Sequence, residues 1–387
     1  MQAGAARCCS RVGTVMFLHS MNALFNANRL KLGVFGTNCS HGCTATTAEG
    51  TLQMDWPNTL EVAQLADEAG IEALVPIARW KGFGGPTDFN GAAFETYTWA
   101  AGLAAATRQI VLFSTSHVLT THPIVAAKQA ATIDHISNGR FALNVVCGWY
   151  QHEFEMFDYS LSDHDGLYDY ADEWLRIVRR LWTDEAEWDF EGRFFQIHHG
   201  YSLPKPIQRS VPVMNAGSSA VGARFAAREA DLCFISMVAY DEDAGQKKIA
   251  ELRGLAREEF GRDIQVWTSC GIVCRPTERE AIDFARYYIV DKGDWEAVSN
   301  MARGRYPARA PRPDEPLRTP GWGTYLIVGT PEQVAERMVH LSSLGLDGVV
   351  LSWVSYQEEM RYWNAEVMPL LEQAGLRKTN EQPASSR

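Results

Sequence analysis

This 387-residue chain has no apolar run approaching the roughly 20 residues that a membrane-spanning helix needs. Basic charge is also in short supply. Lys and Arg total 36 against 47 Asp and Glu, for a net charge of −11 and a pI near 5.4. That balance argues against nucleic acid or an anionic membrane as the main partner. It leaves room for an anionic ligand, because a local cluster of Arg overrides the global sign. Cysteine is thin, with eight residues, too dilute for a disulfide framework, so a reducing cytoplasm is the expectation. Cys39-Ser40-His41-Gly42-Cys43 resembles half a zinc site, but no second ligand pair sits at zinc spacing. His117, His122, His135, His152 and His164 show no i,i+4 pairing either, and no metal is expected. There is no G-x-G-x-x-G after the first strand and no G-x-S-x-G. The chain therefore lacks a dinucleotide fingerprint and a hydrolase nucleophile elbow.

What is present is a regular alternation. Short apolar runs begin at Lys31, Glu72, Gln109, Arg140, Val211, Asp231, Gln265 and Asp347, and amphipathic stretches separate them. Eight strands, each mostly followed by a helix, predict a (β/α)8 barrel. A doubly wound parallel sheet is the alternative. Two segments interrupt the pattern. Asp189–Gln208 reads as an aromatic hairpin. Residues 289–323 are long, irregular and rich in Pro and Arg, which reads as a lid at the barrel mouth. Residues 1–28 read as a disordered tail or an over-extended start, 29–376 as the barrel, and 377–387 as a second tail.

In a barrel, the residues just after each strand converge on one site. The run Phe141–Trp149 puts an amide, Asn144, inside an apolar strand. An unpaired polar group there costs about 1–3 kcal/mol. Asn144 is therefore either a satisfied core amide or a ligand contact. Thr115, at the end of the third strand, is at home in a strand and also faces the site. Gly217, Ser218 and Ser219 open a helix, where free N–H groups and the helix dipole favour a phosphate, although Ser is equally a plain N-cap. Tyr168 starts another helix, with His164 just ahead of it. Trp80, Phe83, Trp149 and Trp353 form an aromatic strand-end set suited to a small planar or apolar compound.

Six segments, "IARWKGFGG", "AATIDHISNGRFALNVVCGW", "HDGLYDYADEWLRIVRRLW", "GRFFQIHHGYSLPKPIQ", "NAGSSAVGARFAAREAD" and the run from Leu326 to Ser352, together resemble one family. It is that of the bacterial luciferase-like, two-component, reduced-flavin-dependent monooxygenases. The similarity runs from Lys31 to about Leu371. Pyrimidine, dimethylsulfone and alkanesulfonate monooxygenases resemble the chain most.

The resemblance implies FMN, used as FMNH2, together with O2. A separate NAD(P)H:flavin reductase would supply the reduced flavin to a homodimer or homotetramer. It places Ala78, Arg79, Asn144, Glu153, Tyr168, Gly217, Ser218 and Ser219 at flavin positions, with Arg79 where relatives carry Lys. Leu167 departs from the family's usual Arg. Thr115 and Asn144 match the catalytic pair that holds dioxygen, two hydrogen-bond donors each worth about 10²–10³ in rate. The implied reaction inserts one oxygen atom into a small organic substrate and cleaves a C–N or C–S bond, in a nitrogen heterocycle or a sulfone or sulfonate. An arginine of the 303–318 loop would meet an anionic substrate or the FMN phosphate. The competing readings are an F420-dependent oxidoreductase on the same barrel and a non-catalytic flavin-binding protein.

Overall fold

A computed structural model describes residues 22–159, 164–302 and 308–378. Its strands are β1 (Lys31–Phe35), β2 (Ala73–Val75), β3 (Val111–His117), β4 (Phe141–Val146), β5 (Trp188–Glu191), β6 (Gln196–Gly200), β7 (Val213–Asn215), β8 (Leu232–Phe234), β9 (Gln265–Cys274), β10 (Tyr325–Gly329) and β11 (Gly348–Ser352). Eight of them form a closed parallel sheet in the order β1, β2, β3, β4, β7, β8, β9, β11, and β11 pairs back onto β1. This is the expected (β/α)8 barrel. β5 and β6 form the expected antiparallel hairpin.

β10 was not expected. β9 is ten residues long and outgrows β8, so its upper half has a free edge. Tyr325–Gly329 pairs there, from Tyr325 opposite Cys270 to Gly329 opposite Cys274. The five-residue run is too short, and too close to Pro331, to announce itself by period. Within the expected lid, Trp295–Ala302 forms a helix.

Alternation along the strands separates two apolar sets. Leu32, Leu74, Leu112, Leu143, Val213, Val266 and Val349 pack outward against the helices. Ala73, Val75, Val111, Phe113, Ala142, Met214, Trp267 and Val350 point inward and fill the lumen. The same parity carries Thr115, His117 and Asn144 to the lumen side, above that plug.

Both tail boundaries lie further out than expected. Residues 1–21 and 379–387 are outside the described residues, but 22–28 pack against the barrel floor. Leu24 is fully buried in the lumen cluster, and Asn22 donates to Gln208 at 2.8 Å. At the other end Arg377 donates to Glu72 (2.8 Å), which also accepts from Asn26, Asn28 and the Leu32 N–H. Both side chains of this pair are almost fully buried. Arg377→Met would leave the Glu72 carboxylate without its countercharge. We expect a loss of about 3–5 kcal/mol in unfolding free energy by urea denaturation. A loss below about 1 kcal/mol would show that the pair is dispensable.

Candidate active site

The C-terminal ends of the strands open into a cavity of about 610 Å³, a size suited to a cofactor-sized ligand. Ala78, Arg79, Thr115, Asn144, Tyr168, Gly217, Ser218 and Ser219 all line it. Glu153, expected among them, does not.

Thr115 and Asn144 are 29 positions apart in sequence but are direct register partners on β3 and β4. Asn144 Nδ2 donates to Thr115 Oγ1 (3.1 Å), and Thr115 Oγ1 donates to the Pro76 carbonyl (2.6 Å). A carbonyl only accepts, so the single Thr115 proton is committed to Pro76. Thr115 must then accept from Asn144, which fixes the amide orientation. This corrects the expectation of two donors. Thr115 aligns, and Asn144 presents its second N–H and its Oδ1. That Oδ1 is buried and has no hydrogen-bond partner in the described structure. A buried orphan acceptor on a cavity wall points to a donor supplied by a ligand.

After β4 the chain turns at Gly148 (φ +94°), where an added Cβ would lie 2.2 Å from the Phe154 ring. The turn leads to the short helix Gln151–Phe154, which carries Glu153. Glu153 is fully buried and holds Arg79 in an ion pair, and its other oxygen accepts from the Trp80 N–H. Its place behind Arg79 makes it a positioning residue. Arg79 also donates from Nε to the Ala78 carbonyl (3.0 Å). Its guanidinium sits among the rings of Phe83 (4.8 Å), Tyr150 (5.5 Å), Trp149 (5.7 Å) and Trp322 (5.8 Å). Burial pushes the Glu153 carboxyl up and the Arg79 guanidinium down, and the attraction between them opposes both shifts.

After β7, Ser219 caps the helix Ala220–Glu229 by accepting from the Gly222 N–H (3.1 Å). Asn215 accepts from the Gly217 N–H (2.8 Å) and shapes the turn. An added Cβ at Gly217 would lie 2.4 Å from the Gly222 carbonyl oxygen, and one at Gly222 would lie 2.5 Å from Tyr168 Oη. Tyr168 therefore lies directly over this helix start. Small residues, a helix N-terminus and an open cavity make a cradle for an anion such as phosphate. The cavity thus offers a phosphate-sized cradle after β7 and, on the adjacent strand β4, an unsatisfied amide oxygen. This donor set fits a flavin mononucleotide.

His117 also lines the cavity, one inward step beyond Thr115, at a strand end to which the sequence assigned no role. The signal was available, because His117 shares the parity of Thr115 on one strand. Burial and the Arg79 charge push its pKa down to about 3, so it stays neutral at physiological pH. Below its ordinary value of 6.5 the unfolded chain binds a proton there that the folded chain refuses, so stability falls as pH drops through that window. His117→Gln is expected to flatten the decline in urea midpoint between pH 6.5 and about 3. An unchanged slope would count against a neutral His117.

The lid contributes Trp322, which lines the cavity and is held by Trp322 Nε1 donating to Asn90 (2.8 Å). Arg303 and Arg305 lie outside the described residues. Arg309 is clasped by both oxygens of Glu315 (2.8 and 2.6 Å), and Glu315 also accepts from the Arg312 N–H. Neither Arg309, Arg312 nor Arg318 lines the cavity. The aromatic set divides: Trp149 lines the cavity, Phe83 packs behind Arg79, Trp80 is exposed, and Trp353 is in the outer core. His164 opens the helix His164–Thr183, but its side chain is outside the described residues. No helix among the described residues is long and apolar enough to cross a membrane.

The profile of the luciferase-like monooxygenases matches residues 30–348, and the chain belongs to that family. It is an enzyme of the flavin-dependent monooxygenase class. The pyrimidine monooxygenase RutA of Allorhizobium ampelinum is 29% identical over 356 residues, covering 88% of this chain and 96% of the relative. The FMNH2-dependent dimethylsulfone monooxygenase of Pseudomonas fluorescens is 31% identical, covering 88% and 94%. Among solved structures, the EDTA monooxygenase of Chelativorans sp. BNC1 superposes with a TM-score of 0.76 at 21% identity, covering 90% of this chain and 94% of that one.

Proposed function

We propose that this chain is the oxygenating component of a two-component system. It takes reduced FMN from a separate reductase and uses O2 to oxygenate a small organic substrate, with cleavage of a C–N or C–S bond. One observation carries the reading: the aligned Thr115–Asn144 pair leaves an amide oxygen unsatisfied in a cavity that ends in the Gly217–Ser219 helix start.

Ser218 and Ser219 would hold the FMN phosphate through main-chain N–H groups and hydroxyls, with Gly217, whose own N–H donates to Asn215, keeping the turn tight. Ala78, Arg79, Tyr168 and Asn144 would flank the ring system. Glu153 acts through Arg79, fixing its guanidinium so that no reorganisation is needed on binding. When bound, reduced FMN supplies the electrons that let O2 deliver one oxygen atom to the substrate. Asn144 offers one N–H to charge that develops on oxygen, in a pocket where His117 adds no acid. Trp149 and Trp322 wall the pocket and exclude water, which strengthens that contact.

The test is an anaerobic fluorescence titration with reduced FMN, oxidised FMN and reduced F420. Reduced FMN is expected to bind at least tenfold more tightly than the others. Preference for F420 overturns the monooxygenase mechanism, and tight binding of oxidised FMN alone points to flavin storage.

A further inference from the structure

On the reading above, the oxygen site has one side-chain donor where two were expected. Thr115 commits its only proton to the Pro76 carbonyl, which leaves a single N–H of Asn144 for charge that develops on oxygen. Oxyanion-type sites aim several preorganised donors at such charge. The next residue along the same lumen face is His117. It stands about 6.6 Å nearer the barrel mouth, two residues up a parallel strand. Its register partner Val146 lines the cavity with it. The imidazole is buried and packs 5.1 Å from the Phe154 ring. Its Nδ1 is buried and has no hydrogen-bond partner among the described residues, and Nε2 is the ring nitrogen left open to the cavity.

A neutral imidazole carries one proton, on one of its two nitrogens. On Nδ1 it would make a buried N–H with nothing to accept it, at a cost of about 1–3 kcal/mol. On Nε2 it faces the cavity, where water or a ligand accepts it. Burial and the Arg79 charge keep a second proton off the ring. We propose that His117 is a catalytic residue whose Nε2–H is the second donor to the oxygen being transferred, the role that the sequence assigned to Thr115. The proposal rests on the flavin reading above. A neutral donor suits this place, because it stabilises charge on oxygen without handing over a proton. A group that did hand one over would let reduced FMN and O2 end as FMN and hydrogen peroxide, with nothing passed to the substrate. Arg79 Nη1 is also buried without a partner, but Glu153 fixes that guanidinium after β2, where on the same reading it flanks the flavin ring system.

Two measurements test it, and the first needs no flavin. Protein carrying isotope-labelled histidine, with His117 assigned by comparison with His117→Gln, is read by nitrogen NMR for the ring tautomer. A neutral ring with its proton on Nε2 is expected at neutral pH, and a proton on Nδ1 overturns the proposal. In the second, oxidation of reduced FMN by O2 is followed by stopped flow, with protein in excess so that the flavin is bound. His117→Phe keeps the ring shape and removes both nitrogens, and is expected to slow this bimolecular reaction at least about tenfold. His117→Gln, whose amide N–H stands close to the place of Nε2–H, is expected to stay within about threefold of the wild type. His117→Asn, whose amide stands at the Nδ1 position instead, takes the place of His117→Phe should that variant fail to fold. Reduced-FMN affinity, from the anaerobic titration, is expected to change less than about threefold in each variant. An unchanged rate in His117→Phe, equal losses in His117→Phe and His117→Gln, or a flavin affinity that falls with the rate overturns the proposal. Failure of the wild-type protein to bind reduced FMN overturns the flavin reading and this proposal with it, whereas normal binding with an unchanged rate overturns this proposal alone.

Discussion

Asn144→Leu is expected to lower oxygenation about 10²–10³-fold while leaving the fold as stable as the parent, or up to about 1 kcal/mol more stable. The activity loss follows from removing the one side-chain donor that the Thr115 hydrogen bond aims into the cavity. The stability expectation follows from the same geometry. Asn144 Oδ1 is buried without a partner, so the wild-type protein carries an unsatisfied acceptor that Leu eliminates. A residue kept for packing would behave in the opposite way, losing stability first. Labelled-oxygen incorporation into a bound substrate and a urea melt read the two effects separately. Full activity, or a stability loss above about 2 kcal/mol, would sink the assignment. Thr115→Ser should retain most activity, because it keeps both the donation to Pro76 and the acceptor for Asn144. Thr115→Val removes both and is expected to approach the Asn144 variant.

Gly217→Ala is expected to weaken reduced-FMN binding at least about 100-fold. A single methyl suffices, because the added Cβ would lie 2.4 Å from the Gly222 carbonyl oxygen and 2.5 Å from the Gly222 carbonyl carbon. Those are main-chain atoms of the first helical turn and cannot rotate aside. The turn must shift as a unit, and with it the Ser218 and Ser219 N–H groups proposed to hold the phosphate. Losing two charge-assisted hydrogen bonds to a phosphate, each worth about 1.5–3 kcal/mol, accounts for the magnitude. Fluorescence titration with reduced FMN measures it, and circular dichroism verifies the fold. Ser218→Ala is the control. It removes one exposed hydroxyl without moving the backbone, and its effect should stay within about tenfold. Equal effects in the two variants would show that the hydroxyl, rather than the backbone cradle, holds the ligand.

Much of this architecture was legible in the sequence. The eight barrel strands recur as short apolar runs between amphipathic helices, and burial on both faces leaves little freedom in what such runs become. Asn144 stood out as a lone amide in a buried strand. Gly217, Ser218 and Ser219 stood out because small residues at a helix start expose N–H groups. β10 was not legible, since its existence depends on how far β9 outruns β8. Nor was the packing of Leu24 and Arg377, because a terminal segment gains its structure only from the barrel floor it meets.

What the sequence alone determined is the class of the fold and the chemical types gathered at the strand ends, because local periodicity and residue chemistry are written in the order of residues. The tertiary structure alone decided the roles. Register set Thr115 beside Asn144 and committed its proton to Pro76. The turn at Gly148 carried Glu153 behind Arg79 instead of into the cavity. The lid brought Trp322 across more than 200 residues to the wall that Arg79 shares. Proton commitment and charge cancellation depend on distances between atoms remote in sequence, and only the folded chain sets those distances.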